Sequence, residues 1–504
     1  MNLRDQASRI AHAVSKWVHP RRFLLLSFLV PFAIRMIPEL LAGPWPLGFD
    51  TVWVYAPFVK DVEAHGVAPL LTKTVGEQNA PLMYVLLTLA ASFTRAAPFA
   101  ITKAFAPILY AFLGFSLYYF ARLGLHWDQK KSLLLVLVST LYFVPLRFSW
   151  DMYKNTLGLS LFFLGLSHAN PSSDNRRMGL LAGFLVLSLL SSELMAALVA
   201  GTFGLLFLWA RLQQRRWDWL ASALSAAGLI VTMFYLHMIV PLALPVSPLA
   251  APPATSGFLY NYVGSNVDVY MYPSIADVYA SVLLLAGFLF APILPLAALG
   301  FSRERRLMAV SIVLAIGSFS ILVSPFAALP AWHRWLYMLV FPGLIFATIG
   351  FLRLSRRARI VAIAALLFLG VAYIGAPGGT SLPYYGTSYT LRYVPPSLMR
   401  NTVLLPDCPD VVRAATWIDD QQVPEAVLVA NIWFVGWAKL YVDTMTVYGF
   451  ADPAQVDNGN LTMYDKVYVL DWAVGQGGFQ QRLLPDGAVE VFDSGRIAVY
   501  EIIR

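Results

Sequence analysis

Long apolar runs recur along the first three quarters of the chain, and they limit what it can fold into. A membrane-spanning helix needs about 20 mostly apolar residues. Runs near that length lie at 23–41, 99–121, 132–146, 156–169, 179–192, 194–210, 219–240, 276–300, 307–323, 335–352 and 359–376. With 58% hydrophobic and only 13% charged residues over 504 positions, a soluble globular chain is excluded, since such chains carry about 25% charge. The pattern predicts a polytopic α-helical membrane protein with about eleven transmembrane helices. Cys408 is the single cysteine, so no intramolecular disulfide and no cysteine-based zinc cage can form.

Charge sets the expected orientation. The net charge is +8, but the basic residues do not form a patch suited to nucleic acid; they fall in short clusters between apolar runs. With the N-terminus placed in the cytoplasm, segments on that side carry 20 of the Lys and Arg before residue 377, and spans and outer loops together hold eight. That is the positive-inside bias. It also assigns the short apolar run 81–93: as a span it would put Arg122, Lys130 and Lys131 outside, so it reads as a helix on the outer surface, within a first external loop over 43–98. The 23–41 run reads as a retained anchor, because its basic leader is long and Arg35 interrupts it. Five prolines in 241–253 predict an extended outer connection.

Past residue 376 the composition changes. Short strands are expected at 426–431, 466–471, 489–493 and 496–503, the last two as a hairpin about Ser494 and Gly495. Helices are expected at 409–420 and 436–441. The chain therefore divides into a membrane domain, 1–376, and a small extracytoplasmic α/β domain, 377–504, at a multi-pass cell-membrane location.

A carboxylate near a span end is costly to desolvate and marks a functional candidate. The outer acids are Asp50, Asp61, Glu63, Glu77, Asp151, Glu193, Asp268 and Asp277. Asp50, ahead of Trp53 and Tyr55, reads either as a helix N-cap or as a catalytic carboxylate in an aromatic cleft. Asp151 sits with Arg147, Lys154 and Asn155 in a tight outer turn, a set able to bind both a cation and a phosphate. Glu193 reads as a structural turn. Tyr260, Tyr262 and Asp268, in an amide- and tyrosine-rich outer loop, suit sugar binding or an interfacial belt. Lys60 and His65 are weaker candidates.

Gly48-Phe49-Asp50, followed by Tyr55, Val62-Glu63-Ala64-His65-Gly66 and Ala80-Pro81-Leu82-Met83-Tyr84 after a basic N-terminus and one span, resembles polytopic glycosyltransferases of the GT-C class. It is most similar to archaeal and bacterial oligosaccharyltransferase catalytic subunits, and the likeness in layout extends to about residue 350. The resemblance implies that Asp50 contacts the acceptor and, with Asp151, a divalent Mg or Mn ion. It also implies that Arg334, in Trp332-His333-Arg334-Trp335, contacts a lipid-linked phosphate. The partners implied are the bilayer, a polyprenyl-phosphate-linked sugar donor and a glycan or protein acceptor. Oligosaccharyltransferases carry Trp-Trp-Asp-Tyr-Gly in the outer domain; the comparable stretch here is Ile432-Trp433-Phe434-Val435-Gly436-Trp437, with Phe434 in place of the acid that reads the glycosylation sequon. The competing readings are protein glycosylation of the oligosaccharyltransferase type, a transporter or flippase with acids and broken helices at mid-membrane, and a non-catalytic assembly subunit.

Overall fold

The computed structural model describes residues 3–169, 175–214, 219–236, 248–250, 275–323, 332–374, 403, 405–450, 453–474 and 484–503. The helices, in chain order, begin with α1 Leu3–Leu41, α2 Ala56–His65, α3 Ala68–Leu71, α4 Leu82–Thr94, α5 Pro98–Tyr119, α6 Gln129–Leu141, α7 Phe143–Asp151 and α8 Tyr153–Ser167. They continue with α9 Asn175–Leu189, α10 Glu193–Gln214, α11 Trp219–Tyr235, α12 Ile275–Phe290, α13 Leu294–Gly300, α14 Arg305–Val323, α15 Trp332–Arg353 and α16 Arg356–Ile374.

The described residues bear out part of the expected eleven spans. Among the described residues five helical segments are long and apolar enough to cross a bilayer, and seven if two bent pairs each count as one span. The bent pairs are α6 with α7, at 66°, and the end of α12 with α13, at 70°. The difference has a physical origin. The 15-residue α8 is buried along nearly its whole length, and a helix apolar on every side is what the interior of a large bundle requires. It reaches about 22 Å at 1.5 Å per residue, short of a 30 Å hydrocarbon core. In α16 the first turn is charged, with Arg356, Arg357 and Arg359.

The expected surface helix is α4. Met83, Tyr84, Leu87 and Ala91 face the protein, whereas Leu89 and Phe93 are exposed. The 241–253 connection lies outside the described residues except 248–250, where Ala250 N–H donates to the Gln455 carbonyl (3.1 Å) and Asn460 N–H to that of Pro248 (2.7 Å). Basic loops meet at the other end of the bundle, where Arg306 donates to the carbonyls of Ala169 and Gly124.

The C-terminal domain is a mixed five-stranded sheet, ordered β2-β1-β3-β5-β4. Its strands are β1 Ala426–Asn431, β2 Thr446–Phe450, β3 Lys466–Trp472, β4 Ala488–Asp493 and β5 Ile497–Ile502. β1 runs parallel to β2 and β3, and all six of its residues are buried, as befits a central strand covered on both faces. β4 and β5 form the expected antiparallel hairpin, closed at Gly495 with φ +110°. Among the described residues three α-helices accompany the sheet: α17 Cys408–Asp420, α18 Val435–Tyr441 and α19 Ala454–Asp457. In α17, Val411, Ala414, Ala415 and Ile418 are buried, a helical stripe pressed on the sheet.

Candidate active site

Gly48 sets the geometry of the first outer loop. Its φ of +104° is a backbone conformation that side-chain-bearing residues rarely adopt. The turn sends Phe49 into the C-terminal domain and delivers Asp50 to the start of a π-helical turn, Thr51–Tyr55. Asp50 is only 6% exposed, and its side chain makes no capping hydrogen bond. It meets instead the first turn of α15, where Arg334 Nη2 donates to Asp50 Oδ2 at 3.0 Å. Two candidates 284 positions apart thus form one ion pair, in which the guanidinium keeps 27% of its side-chain surface open and the carboxylate 9%.

The turn between α7 and α8 forms the facing wall. Thr51 Oγ1 donates to the Trp150 carbonyl, with Tyr153 Oη also at 3.3 Å. Tyr55 and Tyr153 stack with centroids 4.9 Å apart and planes 1° from parallel. The structure therefore brings the Asp50 and Asp151 segments together, with the Asp151 side chain outside the described set. Burial, and then the charge of Asp50, push the Tyr55 phenol well above its ordinary range. It stays protonated.

Further along this wall Lys154 pairs with Glu193 and sits 5.3 Å from the centre of the Tyr84 ring. Glu193 also accepts from Ala80 N–H at 2.9 Å, so it ties the first loop to α8 and α10, in line with a structural turn. Arg147 is fully buried, so a phosphate would reach it only if its neighbours parted. Tyr55 is buried against Tyr153, and the half-buried Trp53 packs edge-on to Phe49 at 5.1 Å. Tyr260, Tyr262 and Asp268 lie outside the described residues. Lys60 clips the loop to the C-terminal domain, donating to the Leu440 carbonyl (2.9 Å) and pairing with Asp443 (2.6 Å), and His65 is exposed.

Of the two carboxylates expected to hold a divalent cation, Asp50 lies within the described residues and the Asp151 side chain does not. Among the described residues no three His, Cys, Asp or Glu side chains cluster, and the guanidinium of Arg334 already occupies Asp50 Oδ2.

No protein-family model matches the sequence, and no curated protein matches it either. Solved structures do match. The Archaeoglobus fulgidus oligosaccharyltransferase in its apo form aligns at 11% identity over 90% of this chain and 70% of its own, with a TM-score of 0.52. The arabinofuranosyltransferase AftD from Mycobacteria aligns at 12% identity over 96% of this chain and 41% of its own, at 0.50. ArnT from Cupriavidus metallidurans in the apo state aligns at 12% identity over 97% and 98%, at 0.49. The chain has a GT-C-like fold.

Phe434 stands where the resemblance puts the sequon-reading acid of oligosaccharyltransferases. Phe434 is fully buried and packs on Trp472, with centroids 5.0 Å apart. Trp433 meets Phe49 edge-on at 5.7 Å. The stretch that resembles a peptide-reading motif is therefore an internal joint between the C-terminal domain and the Asp50 loop. Sequence reasoning passed over Tyr153, the Lys154–Glu193 pair and Glu39. Only Glu39 carried a signal, an acid four residues after Arg35 on one helix face.

Proposed function

We propose that this chain is a membrane glycosyltransferase that moves a sugar from a polyprenyl-phosphate-linked donor to an acceptor on the extracytoplasmic face. The observation that carries the reading is the Asp50–Arg334 ion pair, placed beside the 147–154 turn in a GT-C-like fold. Asp50 takes the proton of an acceptor hydroxyl as its oxygen attacks the anomeric carbon of the donor. The bond from that carbon to the phosphate oxygen breaks, and polyprenyl phosphate leaves with the electron pair. Arg334 meets the charge that gathers on the phosphate; its planar fork suits two phosphate oxygens at once. Donor binding would draw the guanidinium toward phosphate and free the carboxylate to act as base.

The decisive experiment uses the purified protein in lipid with polyprenyl-phosphate sugars. Asp50→Asn should lower transfer about 10²- to 10⁴-fold, the usual range for a lost general base, while the protein remains folded and membrane-inserted. Wild-type transfer by that variant would remove Asp50 from the chemistry. With Arg334 supplying positive charge, transfer should persist in EDTA; a loss reversed by Mg or Mn would bring back an ion on Asp50 and Asp151.

The two broken helices are a feature expected of a transporter. At these breaks the freed carbonyls are met by tyrosines, Tyr110 reaching Thr140 (3.0 Å) and Tyr142 reaching Leu289 (2.6 Å). Solute uptake into vesicles without sugar transfer would favour that second reading.

A further inference from the structure

We infer that the C-terminal domain sets the position of Asp50, and that Gly436 is the positioning residue through which it does so. This rests on the proposed role of Asp50, and it concerns a different part of the chain.

Gly436 lies in the first turn of α18, against the backbone of the turn that follows Asp50. A Cβ there would come within 2.2 Å of the Val52 carbonyl oxygen and 2.8 Å of Trp53 Cα. Both are main-chain atoms, so no rotamer change relieves the clash. On the other side of Asp50, Phe49 lies edge-on to Trp433 at 5.7 Å, and Trp45 meets Trp437 at 5.9 Å. Residues before and after Asp50 are thus held by one five-residue stretch of the C-terminal domain.

That stretch is itself anchored. Asn431, at the end of β1, donates from Nδ2 to Asp471 Oδ1 at 2.9 Å, and its own Oδ1 accepts from Trp433 N–H at 3.3 Å. Asp471 Oδ1 also accepts from Trp472 N–H at 2.8 Å. The ends of β1 and β3 are locked together immediately before the chain enters the stretch that packs on the Asp50 loop. Arg334 comes from the membrane bundle and its carboxylate partner is held by the outer domain, so the Asp50–Arg334 distance depends on how the two parts dock. A shift of about 1 Å in a reacting group can cost about 10²-fold in rate.

The test compares Gly436→Ala with Gly183→Ala in the full-length protein in nanodiscs. A Cβ at Gly183, in α9, meets nothing within 4 Å. Gly436→Ala should lower kcat about 10- to 100-fold with donor KM moving less than about threefold, the split expected when a transition-state interaction alone is lost. Hydrogen exchange should rise across 49–55 while β1 and β3 stay protected, and Gly183→Ala should match wild type. Wild-type kcat and unchanged exchange at 49–55 in Gly436→Ala would overturn the inference. Should Gly436→Ala also expose β1 and β3, Trp433→Leu reads the same joint through the Phe49 contact, and wild-type kcat in that variant overturns it. Faster exchange at 49–55 in Gly436→Ala, together with wild-type transfer by Asp50→Asn, would leave the clamp standing and remove the proposed role of Asp50.

Discussion

Arg334 carries two roles at one atom group: it neutralises a nearly buried carboxylate and, in the proposed reaction, receives a phosphate. The two can be separated by substitution. Arg334→Met leaves Asp50 without its cation and the donor without a phosphate contact, so kcat/KM for the donor should fall about 10²- to 10³-fold, close to the loss of one charged transition-state contact. Arg334→Lys keeps the charge but not the fork, and should recover only part of that loss. Steady-state kinetics against donor concentration checks both, and a wild-type kcat/KM for the donor in Arg334→Met would remove Arg334 from the phosphate site. How far these residues were legible follows from what each one shows locally. Asp50 stood out because an acid beside a span is costly and its neighbours are aromatic. Its partner could not be read, since nothing local records a pairing across 284 positions. Trp53 and Tyr55 look the same in sequence whether they stack on a sugar or on the protein, and here Tyr55 stacks on Tyr153.

Helix α1 ends, next to the Asp50 loop, in a buried charge network. Arg35 is 0% and Glu39 2% exposed; they pair at 2.8 Å, and Lys103 from α5 reaches Glu39 at 3.3 Å. Arg35 Nε also donates to Ser149 Oγ at 3.0 Å in α7, and Lys103 Nζ donates to the carbonyls of Gly43 (2.9 Å) and Trp45 (2.7 Å). One carboxylate therefore joins α1, α5, α7 and the start of the Asp50 loop. Glu39→Gln leaves two cations sharing a neutral amide, and breaking such a buried pair costs about 3–5 kcal/mol. Lys103→Met, which keeps the Arg35–Glu39 pair, should cost less. Thermal unfolding in detergent gives the order, and a Glu39→Gln protein melting like wild type would contradict it. A smaller prediction concerns the start of α6, where the Asp128 side chain accepts from Lys131 N–H at 2.9 Å. That bond holds the Asp128 carboxyl below its usual range, with burial opposing. Because the folded value is the lower one, the stabilisation is present above the unfolded value of about 4 and fades as pH falls through the folded value. Asp128→Ala should thus lower stability by about 1 kcal/mol at pH 7, with the gap to wild type closing toward pH 3; a gap that holds constant would show that the carboxylate charge is not what matters. Elements were read best where periodicity was clean, as in α17 and β1. Apolar length alone could not distinguish a lipid-facing span from a helix such as α8 enclosed by protein. β2 was missed because Gly449 interrupts a short edge strand whose first four residues are exposed or half-buried.

The whole molecule has two unlike ends. Asp50, the α7–α8 turn, Glu193, residues 248–250 and the five-stranded sheet gather at one of them. At the other, the backbone of the basic loops is tied down by arginines, Arg306 reaching Ala169 and Gly124 and Arg353 reaching Leu299. This asymmetry supports the proposed orientation, with the sheet and Asp50 on the outer face, since arginine-rich loops stay on the cytoplasmic side. Cysteine labelling can test it against a clean background. Cys408 is buried in α17, and burial pushes its thiol up, away from the reactive thiolate. The wild-type protein should accordingly stay unlabelled by a membrane-impermeant maleimide. Asn458 and Lys130 are both exposed, one in the C-terminal domain and the other in the first turn of α6. Asn458→Cys should label in intact cells, and Lys130→Cys only after the membrane is permeabilised. The reverse pattern would invert the molecule, putting the Asp50–Arg334 pair in the cytoplasm and requiring a donor whose headgroup faces that side.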